Sequence, residues 1–151
     1  VDETRHMRLY ADYLASLGYE VGAFPVHDWF WERIPAAADP ASFVAVMGLG
    51  FEGANLDHVA RFSERFRAAG DVAGAEIIER IGHEELAHVR FAVRWFTRFT
   101  GGLDFDTWCA ALPRPLSPFI LRGKPLARAA RLRAGLDVAF VDALEAWKPQ
   151  W

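Results

Sequence analysis

The stretch Ile81-Gly-His-Glu-Glu-Leu-Ala-His-Val-Arg-Phe-Ala-Val-Arg-Trp95 decides how the chain is read. At about 3.6 residues per turn, Ile78, Ile81, Glu85, His88, Ala92, Trp95 and Phe99 share one helix face. A carboxylate and an imidazole therefore stand on an otherwise apolar stripe, and each needs a compensating partner. Glu85 and His88 are spaced i, i+3, so they project the same way from adjacent turns. Bundle proteins use this Glu-x-x-His spacing to hold a metal between facing helices. The motif occurs again at Glu3-Thr-Arg-His6, on a stripe continuing through Tyr10, Tyr13 or Leu14, and Leu17. Two copies on two amphipathic segments are far more specific than one.

Working outward, Asp71 to Thr100 reads as one helix, started by Gly70-Asp71 and ended by Gly101-Gly102. Its second half, from Phe91 to Phe99, is apolar on several sides and is expected to be largely enclosed. Glu79 and His83 form an i, i+4 pair on a different face, beside Arg90, which suits solvent. Before it, Pro40 to Ala69 reads as a helix capped by Asp39 and stopped by Gly70. There Glu52 interrupts the stripe Ala45, Leu49, Leu56, Val59, Phe62, Phe66. Asp57 and His58 point away from Glu52, as surface groups or as supports behind it. Asp2 to Leu17 is a helix ended by Gly18, with Glu3, His6 and Tyr10 facing inward. Gly18 to Pro40 is too broken for a long helix, although His27 to Ile34 is compatible with a short one whose aromatics cap the end of a bundle.

Downstream lie a short segment, Asp104 to Leu112, and a run from Pro113 to Pro118 that is restricted to extended or turning chain. Pro125 to Ala134 and Leu136 to Trp147 read as two further helices divided by Gly135. No strand alternation or linker interrupts the pattern, so residues 1–151 are expected to form a single all-α domain.

With 151 residues, 52% of them apolar, the chain can bury a real core. A net charge of -3 argues against general polyanion binding. The stretch between Asp106 and Asp137 is nonetheless free of acids and carries Arg114, Arg122, Lys124, Arg128, Arg131 and Arg133, a solvated basic face more readily than an RNA contact. The single Cys109 makes no intrachain disulfide, is compatible with the cytoplasm, and is expected to pack as a small buried apolar residue. No apolar run reaches the roughly 20 residues of a spanning helix. Because helical pattern begins at Val1, the natural protein is expected to extend upstream.

Three helices thus each offer acid, or acid and imidazole, at an inward position: Glu3 and His6, Glu52, and Glu85 and His88. Three carboxylates buried together repel one another, and cations most naturally offset that cost. Oxygen and imidazole donors suit iron or manganese, and a dinuclear centre with one histidine on each ion is the simplest assignment. The plainer alternative is a set of buried Glu–His hydrogen bonds without metal.

The order of these motifs resembles the ferritin-like di-iron carboxylate superfamily. More closely, Asp2-Glu-Thr-Arg-His6, Arg8-Leu-Tyr-Ala-Asp-Tyr-Leu14, Phe24-Pro-Val-His-Asp28, Asn55-Leu-Asp57, Gly82-His-Glu-Glu-Leu-Ala-His-Val89, Arg94-Trp-Phe96, Pro115-Leu-Ser-Pro-Phe119 and Ala130-Arg-Leu-Arg-Ala-Gly135 resemble the bacterial ferritin-like family known as domain of unknown function 455. The resemblance implies a ferritin-like helical bundle lacking its first helix, with extra C-terminal helices. It also implies two iron ions on Glu3, His6, Glu52, Glu85 and His88. Asp2 or Asp57 would fix the far nitrogen of a ligand histidine, and Tyr10 would lie near the oxidant or simply pack. One departure stands out: the family pattern has a leading helix with a further inward glutamate, for which Asp142 and Glu145 are the only local substitutes. The implied function is a di-iron oxidoreductase using dioxygen or peroxide on an unidentified small organic substrate, with an electron donor as partner. Alternatives are iron binding or storage without organic turnover, a tRNA-directed hydroxylase-like role, and a metal-free scaffold.

Overall fold

In the computed structural model, which describes residues 2–29 and 31–149, α-helices run over Asp2–Ser16 (α1), Pro40–Val44 (α2), Gly53–Ala68 (α3), Val72–Thr100 (α4), Phe105–Ala110 (α5), Arg128–Arg133 (α6) and Val138–Ala146 (α7). No strand occurs among the described residues. The starts follow from side-chain capping. Asp39 accepts from the amides of Ala41 and Ser42, Asp71 from Gly74, Asp104 from Thr107 and Asp137 from Phe140, each satisfying an amide that the first helical turn leaves without a partner. Helix α4 ends at Gly101, whose φ of 82° is the left-handed conformation glycine adopts without penalty.

The expected helix from Pro40 to Ala69 forms with one modification. Between α2 and α3, residues Ala45–Glu52 are π-helical, and Glu52 is their last member. Such single-turn widenings are rare and concentrate at functional sites. Glycine makes this one possible: a Cβ on Gly48 would lie 2.3 Å from Ala92 Cβ, so only glycine lets the segment press so closely on α4.

The main core joins Ala45, Val46 and Leu49 of the π segment to Ala92 and Phe96 of α4, Trp108 of α5, and Phe140, Val141 and Leu144 of α7. Trp108 is fully buried, and its indole N–H donates to Ala45 O at 3.0 Å, so the one polar atom of that ring is satisfied. Helix α1 packs mainly on α4, away from this core.

Several expectations change. His27 to Ile34 forms turns, with a 3-10 turn at Ile34–Ala36 in place of a short helix. Phe30 falls outside the described residues. Trp29 does pack edge-on against Phe51, at 6.2 Å between ring centroids, under the Arg33 guanidinium. Helix α1 buries only His6, leaving Tyr10 and Leu17 exposed. Helix α4 is not enclosed: Phe91 and Phe99 are about half exposed, because no described element is packed over that side. Cys109 is half-buried, and burial with nearby Asp106 pushes its thiol up to about 11.

The basic stretch is not a uniformly solvated face. Arg131 is fully buried and doubly bonded to Asp57, Arg128 pairs with Asp142 and Glu145, and Arg122 donates to the carbonyls of Leu144, Glu145 and Trp147. Among the described residues no helix is long and apolar enough to cross a membrane.

Candidate metal centre

Side chains from three segments converge beside the α1–α4 contact. Glu3 of α1, Glu52 at the end of the π segment, and Glu85 and His88 of α4 each present one ligand atom, all within 4.8 Å of one another. His88 Nδ1 lies 3.0 Å from Glu85 Oε2, 3.3 Å from Glu3 Oε1 and 4.0 Å from Glu52 Oε1. His6 stands outside that group of four but borders it, its Nδ1 lying 3.5 Å from Glu3 Oε2 and 3.8 Å from Glu85 Oε1. The two imidazole rings are 6.1 Å apart between centroids. All five ligands expected from the sequence therefore surround one space.

Local structure explains how they arrive there. In each Glu-x-x-His motif the i, i+3 spacing stacks acid and imidazole on one helix face, and α1 and α4 turn those faces toward each other. Glu52 comes from the π segment, and a Cβ on Gly48 would approach its Oε2 to 3.5 Å. Gly48 thus leaves room for α4, while a Cβ there would stand at ordinary contact distance from the carboxylate.

Only one of the three clustered carboxylates is buried as expected. Glu85 is 3% exposed and His6 4%, whereas the Glu52 side chain is 28% exposed and that of Glu3 71%. The cluster opens through a cavity of about 380 Å³ lined by Glu3, Glu52, Ala87, His88 and Phe91.

Crowding and desolvation make this space a proton store when no cation is bound. Burial, then the neighbouring Glu85 and Glu3, pushes the Glu52 carboxyl up to about 7, against the opposing pull of His88. Burial also raises Glu85. For His88, burial favours the neutral ring, but Glu85, Asp2 and Glu52 together outweigh it and raise its pKa. The 3.0 Å contact between His88 Nδ1 and Glu85 is accordingly held by a proton that a metal ion would displace.

Behind the cluster, each histidine is anchored by an acid from the other helix. His88 Nε2 lies 3.4 Å from Asp2 Oδ2 of α1, and His6 Nε2 lies 2.7 Å from Glu84 Oε2 of α4. These imidazole contacts are the leading cause that lowers the pKa of Asp2 and of Glu84, so both act as ionised acceptors. An ionised carboxylate only accepts, so Nε2 carries the hydrogen and Nδ1 is left facing the cluster. Asp2 holds its expected place. Glu84 was not anticipated, although a signal existed: an acid precedes the glutamate in both motifs, Asp2-Glu3 and Glu84-Glu85.

Other candidates lie elsewhere. Asp57, expected at the surface or behind a ligand histidine, is 1% exposed and has both oxygens committed, to Arg131, to the Gly123 amide at 2.8 Å and to the Ala127 amide at 2.7 Å. Tyr10 is partly exposed, with its hydroxyl pKa raised by burial and by Glu85, and it lines a small cavity with Asn55, His58 and Ile81. Asp142 and Glu145 are engaged by Arg128. Glu79 bonds Arg67 and Ser63 of α3 in place of His83.

As a donor set, three carboxylates and two imidazoles with no thiolate fit a hard or intermediate divalent ion such as iron or manganese. Compared with known proteins, residues 1–142 match the family described as "Protein of unknown function (DUF455)". An uncharacterized protein of Haemophilus influenzae is 29% identical over 96 residues, covering 63% of this chain and 33% of that relative. The aligned segment thus spans about a third of the relative's length. No solved structure matches.

Proposed function

The chain belongs to the DUF455 family, and from its site we propose a dinuclear iron centre, in a ferritin-like setting, that uses dioxygen or peroxide to oxidise a small organic substrate. The observation that carries the proposal is the meeting of Glu3, Glu52, Glu85 and His88 within 4.8 Å, with His6 at its border. Acids gathered so closely disfavour one another unless protons or cations lie between them. The paired anchors behind both imidazoles support metal in preference to protons alone, since they turn each Nδ1 toward the cluster, where its lone pair faces an ion once any proton there is displaced.

In this reading Glu3 and His6 would hold one ion and Glu85 and His88 the other, with Glu52 supplying a further carboxylate. Iron there would supply the electrons and the Lewis acidity for activating the oxidant. The chain's own groups do the rest. His6 and His88 stay oriented through Glu84 and Asp2. Glu52, pushed up to about 7, gives up its proton as cations arrive and takes it back as they leave. Substrate approaches past Phe91 at the open mouth.

A second reading, metal binding without organic turnover, is favoured by the 71% exposure of the Glu3 side chain, which leaves one side of the cluster open to exchange. Anaerobic Fe(II) titration followed by exposure to dioxygen separates the two. Both readings require uptake that depends on Glu85 and His88, but only an oxidase or oxygenase couples dioxygen consumption to loss of an organic compound. Absence of uptake rejects both.

A further inference from the structure

The structure assigns Arg5 a role that follows from the metal-centre reading and goes beyond it: we infer that this one guanidinium is the positioning residue for both ligand histidines. Arg5 Nη2 lies 3.1 Å from Asp2 Oδ1 and 2.6 Å from Glu84 Oε2. Those acids are the anchors of His88 and His6, at 3.4 Å and 2.7 Å. A single chain of contacts therefore runs from His88 through Asp2, Arg5 and Glu84 to His6, crossing three times between α1 and α4.

The division of oxygens is informative. Asp2 gives Oδ1 to Arg5 and keeps Oδ2 for His88, so the arginine fixes the rotation of the carboxylate that faces the imidazole. Glu84 uses the same Oε2 for Arg5 and for His6, so that oxygen is held where the ring must meet it. Arginine suits this task because Nη2 carries two hydrogens held in the plane of an always-charged guanidinium, so one nitrogen serves both acceptors in fixed directions. Arg80, 3.6 Å from the other Glu84 oxygen, touches only that one acid and cannot link the two rings. An ordinary surface ion pair predicts something different. Arg5 is 44% exposed, and pairs of that exposure contribute little to stability, so a purely structural Arg5 leaves the histidines unchanged when it is removed.

The test uses the 151-residue chain in two states. In the metal-free protein at alkaline pH, where the rings are neutral, nitrogen–proton correlation spectra report which ring nitrogen of His6 and His88 carries the hydrogen. In the wild type both should be Nε2–H. In Arg5→Gln, with helical content and melting unchanged, both rings should shift together to mixtures of the two forms. Anaerobic Fe(II) titration of the same variant should show both sites weakened by about 10-fold, the scale of losing an orienting group behind a ligand. Arg5→Lys, which returns charge without the planar, fixed N–H directions, should recover only part of this and guards against a folding defect in the glutamine variant.

Unchanged ring forms with unchanged Fe(II) affinity in Arg5→Gln, or a change confined to one histidine, overturns the inference while leaving the metal centre intact. A wild type that binds no Fe(II), yet loses Nε2–H at both rings in the variant, removes the metal centre and keeps the positioning role.

Discussion

Asp2 on α1 holds His88 on α4 through an Oδ2–Nε2 contact of 3.4 Å, and the reverse contact, Glu84 to His6, closes the exchange between the two helices at 2.7 Å. The helices that carry the ligands therefore orient each other's imidazoles. Replacing either acid leaves a ring free to rotate and to change tautomer. Asp2→Ala and Glu84→Ala are each expected to lower metal affinity by about 10- to 100-fold. Thermal stability should change little for Asp2→Ala, since that side chain is half exposed. Competition of each variant against a chelator of known affinity measures the effect, and wild-type affinity in both would show that the rings need no such support.

The Glu52 carboxyl gives a pH dependence with a definite sign. Folded, it holds its proton up to about 7, against the ordinary 4.5 of a glutamate in the unfolded chain. Between those values the fold binds more protons than the unfolded chain, so stability falls as pH rises through that window and then levels off. A shift of this size corresponds to roughly 3–4 kcal/mol. Urea unfolding of metal-free Glu52→Gln should show a flatter profile from pH 5 to about 7, and an unaltered slope would assign the effect to another group. Metal affinity should rise through the same window, because the ion competes with the proton.

Asp57 and Arg131 form a buried pair that ties the 123–127 segment and α6 to α3. Removing one partner strands the other charge, so Asp57→Ala is expected to cost about 3–5 kcal/mol. Replacing both with apolar residues of similar volume should recover much of that loss. Denaturant unfolding of the single and double variants checks it, and a mild single variant would mean that water reaches the site.

Helix α4 is approached at two glycines. A Cβ on Gly48 would meet Ala92 Cβ at 2.3 Å, and one on Gly82 would meet Val59 Cγ2 at 2.4 Å and Cβ at 2.9 Å. Alanine gains about 1 kcal/mol of helix propensity at either position, but clashes with Cβ atoms cannot be relieved by rotating a side chain. Both substitutions should therefore destabilise by roughly 1–3 kcal/mol. Gly48→Ala should in addition weaken metal uptake, because it pushes the Glu52 segment off α4; calorimetric melting and Fe(II) titration separate the two effects.

Much of this arrangement was legible in the sequence because it rests on local rules. The Glu-x-x-His spacing places Glu3 with His6 and Glu85 with His88 on common faces, the Asp71 cap and the glycine stop locate α4, and Gly18 locates the end of α1 to within a residue or two. What depended on packing was less legible. The π-helical register of Ala45–Glu52 follows from the close contact of Gly48 with Ala92, which no periodicity announces. Asp57 was read by its helical angle as a surface group or a support, yet its partner Arg131 lies 74 residues away and inverts that reading. The exposure of Glu3, Tyr10 and Phe91 likewise reflects which elements cover α1 and α4, a property no single stripe contains.

The most direct test of the account is anaerobic Fe(II) titration of the wild type beside Glu85→Ala and His88→Ala, with bound iron counted after removal of free metal. The account predicts close to two ions per chain for the wild type and loss of at least one in each variant. Equal uptake in all three proteins, or none in the wild type, would contradict it.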